Sequence, residues 1–225
     1  MSIKNDVFSV NSLFEPGHTD AWDFLKQFTY PWEALPHIGS FISKLGATLC
    51  ESEYECRDNN VWIHKTAQIA PSAFIGRFVI IGADTQIRHC AYIRENALIG
   101  KNAVIGNSTE IKNSILFDNV QVPHFNYIGD SIMGYKSHFG AGAITSNVKS
   151  DSSLVTVKYD NKQIETGIKK FGAILGDRVE VGCNAVLNPG TVIGADSNIY
   201  PLSSVRGYVD TNCIYKSQDN IVKKM

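Results

Sequence analysis

No stretch of this 225-residue sequence strings together the roughly 20 apolar residues that a membrane-spanning helix needs. The start, Met1-Ser-Ile-Lys-Asn-Asp6, has no apolar segment behind it of the kind a secretory signal uses. The five cysteines (Cys50, Cys56, Cys90, Cys183 and Cys213) are odd in number and irregular in spacing, with no Cys-x-x-Cys. That pattern offers neither a disulfide frame nor a zinc knuckle and suits a reducing compartment. Charge of one sign is missing too. The 21 basic and 22 acidic residues nearly cancel, and Lys/Arg runs are no longer than the Lys223-Lys224 pair, so no basic field awaits a nucleic-acid backbone. The six histidines (His18, His37, His64, His89, His124 and His138) are scattered, which argues against a metal triad. The sequence predicts a soluble, cytoplasmic protein without a bound metal.

What is there is a core. With 44% apolar and 19% charged residues, the chain can bury one large domain, alone or with a small appendage. From residue 63 an isoleucine recurs every six positions: Ile63, Ile69, Ile75, Ile81, Ile87, Ile93, Ile99, Ile105 and Ile111. Two places before each sits a small or branched residue, as at Val61, Ala67, Ala73 and Val79. A period of six fits neither a helix nor an alternating strand. It fits a β-helix whose short strands and turns build a prism, three hexads to an 18-residue coil, with coils about 4.8 Å apart. Gly76, Gly82, Gly100 and Gly106 follow their isoleucines as tight corners would ask. The frame slips after Ile111 and returns at Leu175, Val181, Leu187, Ile193, Ile199 and Val205.

The fold expected is all-β: a parallel β-helix over 61–206, with 1–60 as a helical cap on its first coil. Pro31 and Pro36 break that cap into two short helices. Within 148–169 the hexad is lost, and a β-hairpin turning at Asp160-Asn161 is expected to project. Residues 207–225 form an aperiodic tail.

Arg94 and Lys112, 18 residues apart, stack on one face of such a column just after interior isoleucines. Two cations about 5 Å apart with no carboxylate between them invite a bridging anion such as phosphate, although paired surface cations on a prism are also common. His124 lies where the frame is disturbed. It is a candidate base with Glu110 one coil earlier to orient it, or else a histidine satisfied by carbonyls at an irregular turn. The run 140–147 (Gly140-Ala-Gly-Ala-Ile-Thr-Ser-Asn147) leaves backbone N–H groups accessible to an oxyanion or thioester carbonyl, or simply packs tightly. Cys183 is a candidate nucleophile, but with no neighbouring base it reads as a buried small apolar residue.

Together, Arg94, Glu110-Ile-Lys112, His124-Phe-Asn-Tyr127-Ile-Gly-Asp130, the 140–147 run and Lys170-Phe-Gly-Ala-Ile-Leu-Gly-Asp177 resemble a known family. It is the left-handed β-helix acetyltransferase domain of bacterial bifunctional glucosamine-1-phosphate acetyltransferase/N-acetylglucosamine-1-phosphate uridylyltransferase. The resemblance covers about 61–206 and needs no gap over 94–147. It implies an acetyl-CoA-dependent N-acetyltransferase acting on an amino-sugar 1-phosphate in UDP-N-acetylglucosamine synthesis. It implies a homotrimer with sites between neighbouring columns.

The resemblance assigns His124 as base and Glu110 as its orienter. Arg94, Lys112, Tyr127 and Lys170 hold the sugar phosphate, and His138 takes a sugar-contacting position. Ala141, Asn147, Cys183 and Lys216 lie toward the acetyl group and CoA. The chain departs from the family pattern at His138, Val148 and Cys183, which stand where the family has Asn, Tyr and Ser. The 164–177 stretch is similar to β-helix tails of two-domain sugar-phosphate nucleotidyltransferases, while 1–60 has no Gly-rich nucleotide loop, so no nucleotidyltransferase activity is expected. An acyltransferase for a nucleotide sugar and a non-catalytic sugar-phosphate-binding trimer are the other readings.

Overall fold

A computed structural model of the chain describes residues 7–159 and 162–225. Its body is a parallel β-helix of about eight turns. Each coil lays one short strand on each of three faces. Face one carries Val61–His64, Val79–Ile81 and Ala97–Ile99 in register. Face two carries Gln68–Ile69, Gln86–Ile87 and Val104–Asn107. Face three carries Phe74–Ile75, Tyr92–Ile93 and the start of Glu110–Leu116. Because side chains alternate along a strand, the hexad isoleucines point inward and their predecessors outward. Ile81, Ile93, Ile99, Ile105 and Ile111 have no exposed surface.

Corners need a residue in the left-handed region, and one coil shows all three: Asp84 (φ 58°), Cys90 (φ 55°) and Asn96 (φ 57°). Asn and Asp recur at these positions because their short polar side chains tolerate that conformation. The glycines expected to make the corners have another cause. Gly76, Gly82, Gly100 and Gly106 keep ordinary negative φ. A Cβ on Gly82 would lie 2.7 Å from the Gly100 carbonyl carbon, and one on Gly106 would fall onto the Pro123 carbonyl. Successive coils approach too closely there for any side chain.

The frame slip is one missing corner residue, taken twice. Ile93 pairs with Ile111, 18 residues on, but Ala97 pairs with Ser114 and Ser114 with Ser131, each only 17 on. The turns Lys112-Asn113 and Gly129-Asp130, between faces three and one, are therefore a residue shorter than Arg94-Glu95-Asn96 below them. The hairpin is inserted at this same corner. Its strands Thr156–Tyr159 and Lys162–Glu165 pair antiparallel, and its expected turn Asp160-Asn161 lies outside the described residues. The excursion lies back on the column, for Val155 and Val157 are fully buried. Cys213–Ser217 and Asn220–Lys223 form an antiparallel pair at the end of face two.

The N-terminal helices are present, but they do not sit as a lid on the first coil. They comprise α1 (Val10–Leu13), α2 (Trp22–Leu25), a 3-10 segment Pro31–His37 and α3 (Ile38–Gly46). The segment covers face one nearly end to end, descending from Phe8 to Asp20 beside Lys101, returning at Tyr30 and Trp32 toward Phe8 and Phe171, and descending again to Gly46. Phe8 packs edge-on against Tyr208 (5.1 Å) near the last coil. Leu13 and His18 accept backbone hydrogen bonds from Asp177 and Asp118, and Gly46 reaches the Trp62 ring near the first coil. The strand Tyr54–Arg57, antiparallel to Val61–His64, and the 51–53 turn before it, bonded to Lys65, lie against that first coil. The physical reason is on face one itself. Its outward residues Trp62, Ile80, Leu98, Ile115, Ile132, Ile174 and Val192 are all apolar, and all are buried beneath this cover. Burial of each such side chain is worth about 1.5–3 kcal/mol, which selects the side of the prism over its end.

Candidate active site

Face three has two edges, and the candidate residues divide between them. The edge shared with face two carries His124, in the strand Gln121–His124, whose register partner on the coil below is Asn107. The turn after it is stapled from inside. Asn126, only 3% exposed, accepts from the His124 N–H (3.1 Å) and donates to the carbonyls of Gly140 (2.9 Å) and Ala143 (3.0 Å) on the next coil. The His124 imidazole is exposed and has no hydrogen-bond partner among the described residues. Above it along this edge come Ala141 and Cys183, bonded coil to coil through Gly142 N–H to the His124 carbonyl and Asn184 N–H to the Ala141 carbonyl. The N–H groups of Ala141 and Cys183 are themselves unpartnered among the described residues. Lys216 stands higher, with its ammonium 5.9 Å from the Tyr200 ring centre.

The opposite edge, shared with face one, collects Arg94, Lys112, Tyr127, Asn147 and Lys170. Tyr127 lies directly above Glu110 on face three, and Lys112 is level with Gly129. Asn147 Nδ2 donates to the Tyr127 hydroxyl (3.2 Å), and burial, reinforced by the Asp130 and Glu110 carboxylates, holds the phenol above its ordinary range. Lys170 is exposed, seated next to Asn147 because the Phe171 N–H bonds the Asn147 carbonyl (2.9 Å).

Five expectations change. Asn147, expected toward the acetyl group and CoA, stands with Tyr127 on the opposite edge, and Cys183, expected to be buried, is exposed. Carboxylates do stand with both stacked cations: Arg94 Nη1 donates to Glu110 (3.0 Å), and Lys112 Nζ lies 3.3 Å from Asp130 Oδ2. Lys112 is only 14% exposed. Asp130 stands 18 residues after Lys112, the same spacing that stacks Lys112 on Arg94; the register sets Gly129 above Lys112, and the Asp130 carboxylate reaches back to its ammonium. Glu110 is level with Tyr127 rather than His124, and its bond goes to Arg94. His138 is on face two, away from both edges, with Nδ1 2.7 Å from Glu180. Sequence reasoning assigned no role to Asp130 or Asn126. Asn126 does leave a mark: it occupies a position where the column otherwise takes Ala91, Thr109, Ala143 or Ala185.

The sequence profile of the GMPPB C-terminal domain family matches residues 84–198, which include every residue placed on the two edges except Lys216. The chain belongs to the GMPPB C-terminal domain family. Among curated relatives, the bifunctional protein GlmU of Methanococcus vannielii is 35% identical over 112 residues, 49% of this chain and 27% of that protein. The bifunctional sugar-1-phosphate nucleotidylyltransferase/acetyltransferase of Sulfurisphaera tokodaii is 38% identical over 88 residues, 39% and 22% respectively. The chain thus spans about a quarter of the length of the curated relatives it matches. One solved structure that overlaps it is the acetyltransferase domain of PglB from Neisseria gonorrhoeae in complex with acetyl coenzyme A (13% identity, 73% of this chain, 57% of that one, TM-score 0.33). Another is PerB from Caulobacter crescentus with CoA and GDP-perosamine (17%, 73%, 57%, TM-score 0.28).

Proposed function

We propose that this member of the GMPPB C-terminal domain family is an acetyl-CoA-dependent N-acetyltransferase for an amino-sugar 1-phosphate of the glucosamine-1-phosphate type. The observation that carries the reading is the division of face three. An unengaged imidazole stands on one edge, and five residues suited to a phosphorylated sugar gather on the other. CoA lies along the His124 edge, where Ala141, Cys183 and Lys216 follow one another up the column like rungs. The free Ala141 and Cys183 N–H groups donate to the thioester oxygen. The sugar amine bonds to the acetyl carbon, the carbon–sulfur bond breaks, and the amine's proton passes to His124 and on to the leaving thiolate. No covalent enzyme intermediate is needed.

The product serves sugar-nucleotide synthesis, UDP-N-acetylglucosamine in particular, in the reducing cytoplasm that five unpaired cysteines suit. The acting form is a homotrimer, in keeping with the exposed Phe74 and Tyr92 on face three. A second reading, acylation of a nucleotide sugar, draws on the carboxylates that already pair Arg94 and Lys112 and leave less charge for a terminal phosphate.

The test follows thiol release from acetyl-CoA with glucosamine-1-phosphate, galactosamine-1-phosphate and nucleotide amino sugars. Turnover with a sugar phosphate, reduced about 100-fold or more by His124→Ala, supports the reading. Wild-type turnover with nucleotide sugars alone selects the second reading, and no thiol release with any acceptor removes both.

A further inference from the structure

Side chains at the corner between faces three and one form a ladder that ends on one carboxylate. Asn96 Nδ2 donates to Asn113 Oδ1 (3.4 Å), and Asn113 Nδ2 donates to Asp130 Oδ1 (2.9 Å). Asp130 Oδ2 accepts from Asn147 Nδ2 (2.5 Å) and from Lys112 Nζ (3.3 Å). The Asp130 side chain is 4% exposed and its backbone is left-handed (φ 49°), which turns the short side chain into the corner. One buried acceptor therefore fixes the rotamers of Lys112 and Asn147 together, and Asn147 in turn meets the Tyr127 hydroxyl.

The cover on face one reaches this ladder twice. Asn113 Nδ2 also donates to the Leu35 carbonyl (3.2 Å), in the Pro31–His37 segment. Trp32 of the same segment stacks on Phe171 (5.8 Å), whose N–H holds the Asn147 carbonyl. Both rings are buried. The cover lies outside residues 84–198, so this linkage belongs to the chain beyond the span matched to its family.

We infer that Asp130 is a positioning residue for the acceptor phosphate and that Asn113 couples docking of the N-terminal cover to phosphate binding. Asp130 holds the Lys112 ammonium and the Asn147 amide in place before the ligand arrives, so less order has to be imposed on binding. The cover supplies one of Asn113's two acceptors and thereby its orientation. If cover docking favours the ligand, the ligand must tighten the cover by the same factor. This rests on the sugar-phosphate reading above.

The experiment pairs calorimetric titration of glucosamine-1-phosphate, without acetyl-CoA, with hydrogen–deuterium exchange across residues 31–46. It compares wild type with Asn113→Gly and Asp130→Asn. Asn113 has φ 47°, so glycine deletes the side chain without straining the backbone, and asparagine keeps the size and turn preference of Asp130. A thermal melt of each variant checks that it folds. The expected result is that ligand slows exchange in 31–46 of the wild type. Asn113→Gly should abolish the slowing and weaken binding at least about fivefold, and Asp130→Asn should weaken it about tenfold or more. Wild type that binds with no change in exchange, or variants that bind as wild type does, would overturn the coupling and leave the acceptor reading standing. Wild type that binds no sugar phosphate overturns both.

Discussion

Glu110 accepts a hydrogen bond from Arg94 at 3.0 Å, one coil below, and no bond joins it to His124. The same contact holds the Arg94 guanidinium above its ordinary pKa. A carboxylate that served the imidazole would change the pH dependence of catalysis when lost, whereas one that aims Arg94 would change acceptor binding. For Glu110→Gln, the expected result is a KM for the sugar phosphate raised about tenfold, with the pH profile of kcat/KM unmoved. A shifted basic or acidic limb in that profile would return Glu110 to His124.

Glycine is required between coils and dispensable at corners. Gly106→Ala drives a Cβ onto the Pro123 carbonyl and is expected to destabilise the fold by more than about 3 kcal/mol. Asn102→Gly, at φ 53°, is expected to stay within about 1 kcal/mol of wild type. Urea unfolding of the two variants side by side checks both, and similar losses would mean that the distinction is wrong.

Phe8 is 1% exposed and meets Tyr30, Trp32, Tyr159 and Tyr208 edge to face or nearly so. Phe8→Ala is expected to cost about 3–5 kcal/mol. If the cover and column unfold together, the urea midpoint falls and the slope stays. A shallower slope with a separate early phase would show a cover that detaches by itself.

Arg178 bridges the cover and the upper coils, bonding Asp196 at 2.7 Å and Glu15 at 2.9 Å. The Arg178 hydrogen bond holds the Asp196 carboxyl below its ordinary range. A depressed carboxylate stabilises the fold above its unfolded pKa of about 4 and loses that contribution as pH falls through the folded value. The wild type's lead over Asp196→Asn is therefore expected to be present at pH 7 and to fade below about pH 4. Because the pair is well exposed, the lead should not exceed about 1 kcal/mol. A lead that grew on acidification would contradict the assignment.

The interior was legible because every sixth residue must fill the prism, and Ile63 through Ile111 do so, with Ile69 and Ile75 of the first coil only partly buried. The destination of the N-terminal segment was written there too, at a longer period. Every eighteenth outward residue on face one is apolar (Trp62, Ile80, Leu98), while face two shows Gln68 and Gln86. A six-residue reading averages the faces and so predicts a lid rather than a side cover. Spacing placed Arg94 beneath Lys112 correctly. The same 18-residue step leads from Lys112 to Asp130, so the carboxylate was within reach of spacing; which way its side chain turns at the shortened corner was not. His138 and His124 lie on strands of the same face one coil apart, but His138 is in register with Gln121, so His124 stands at the edge and His138 does not.

The order in which the chain emerges gives the side cover another meaning. Phe8 is made first, and its partner Tyr208 comes 200 residues later. A solenoid of stacked repeats can ordinarily form and fray from its ends, each repeat answering only to its neighbours. Here the opening residues have no finished resting place until the final coils exist, and once seated they clasp the column nearly end to end. A stack that would otherwise be a row of independent rungs is thereby expected to fold, and to resist unfolding, as one unit.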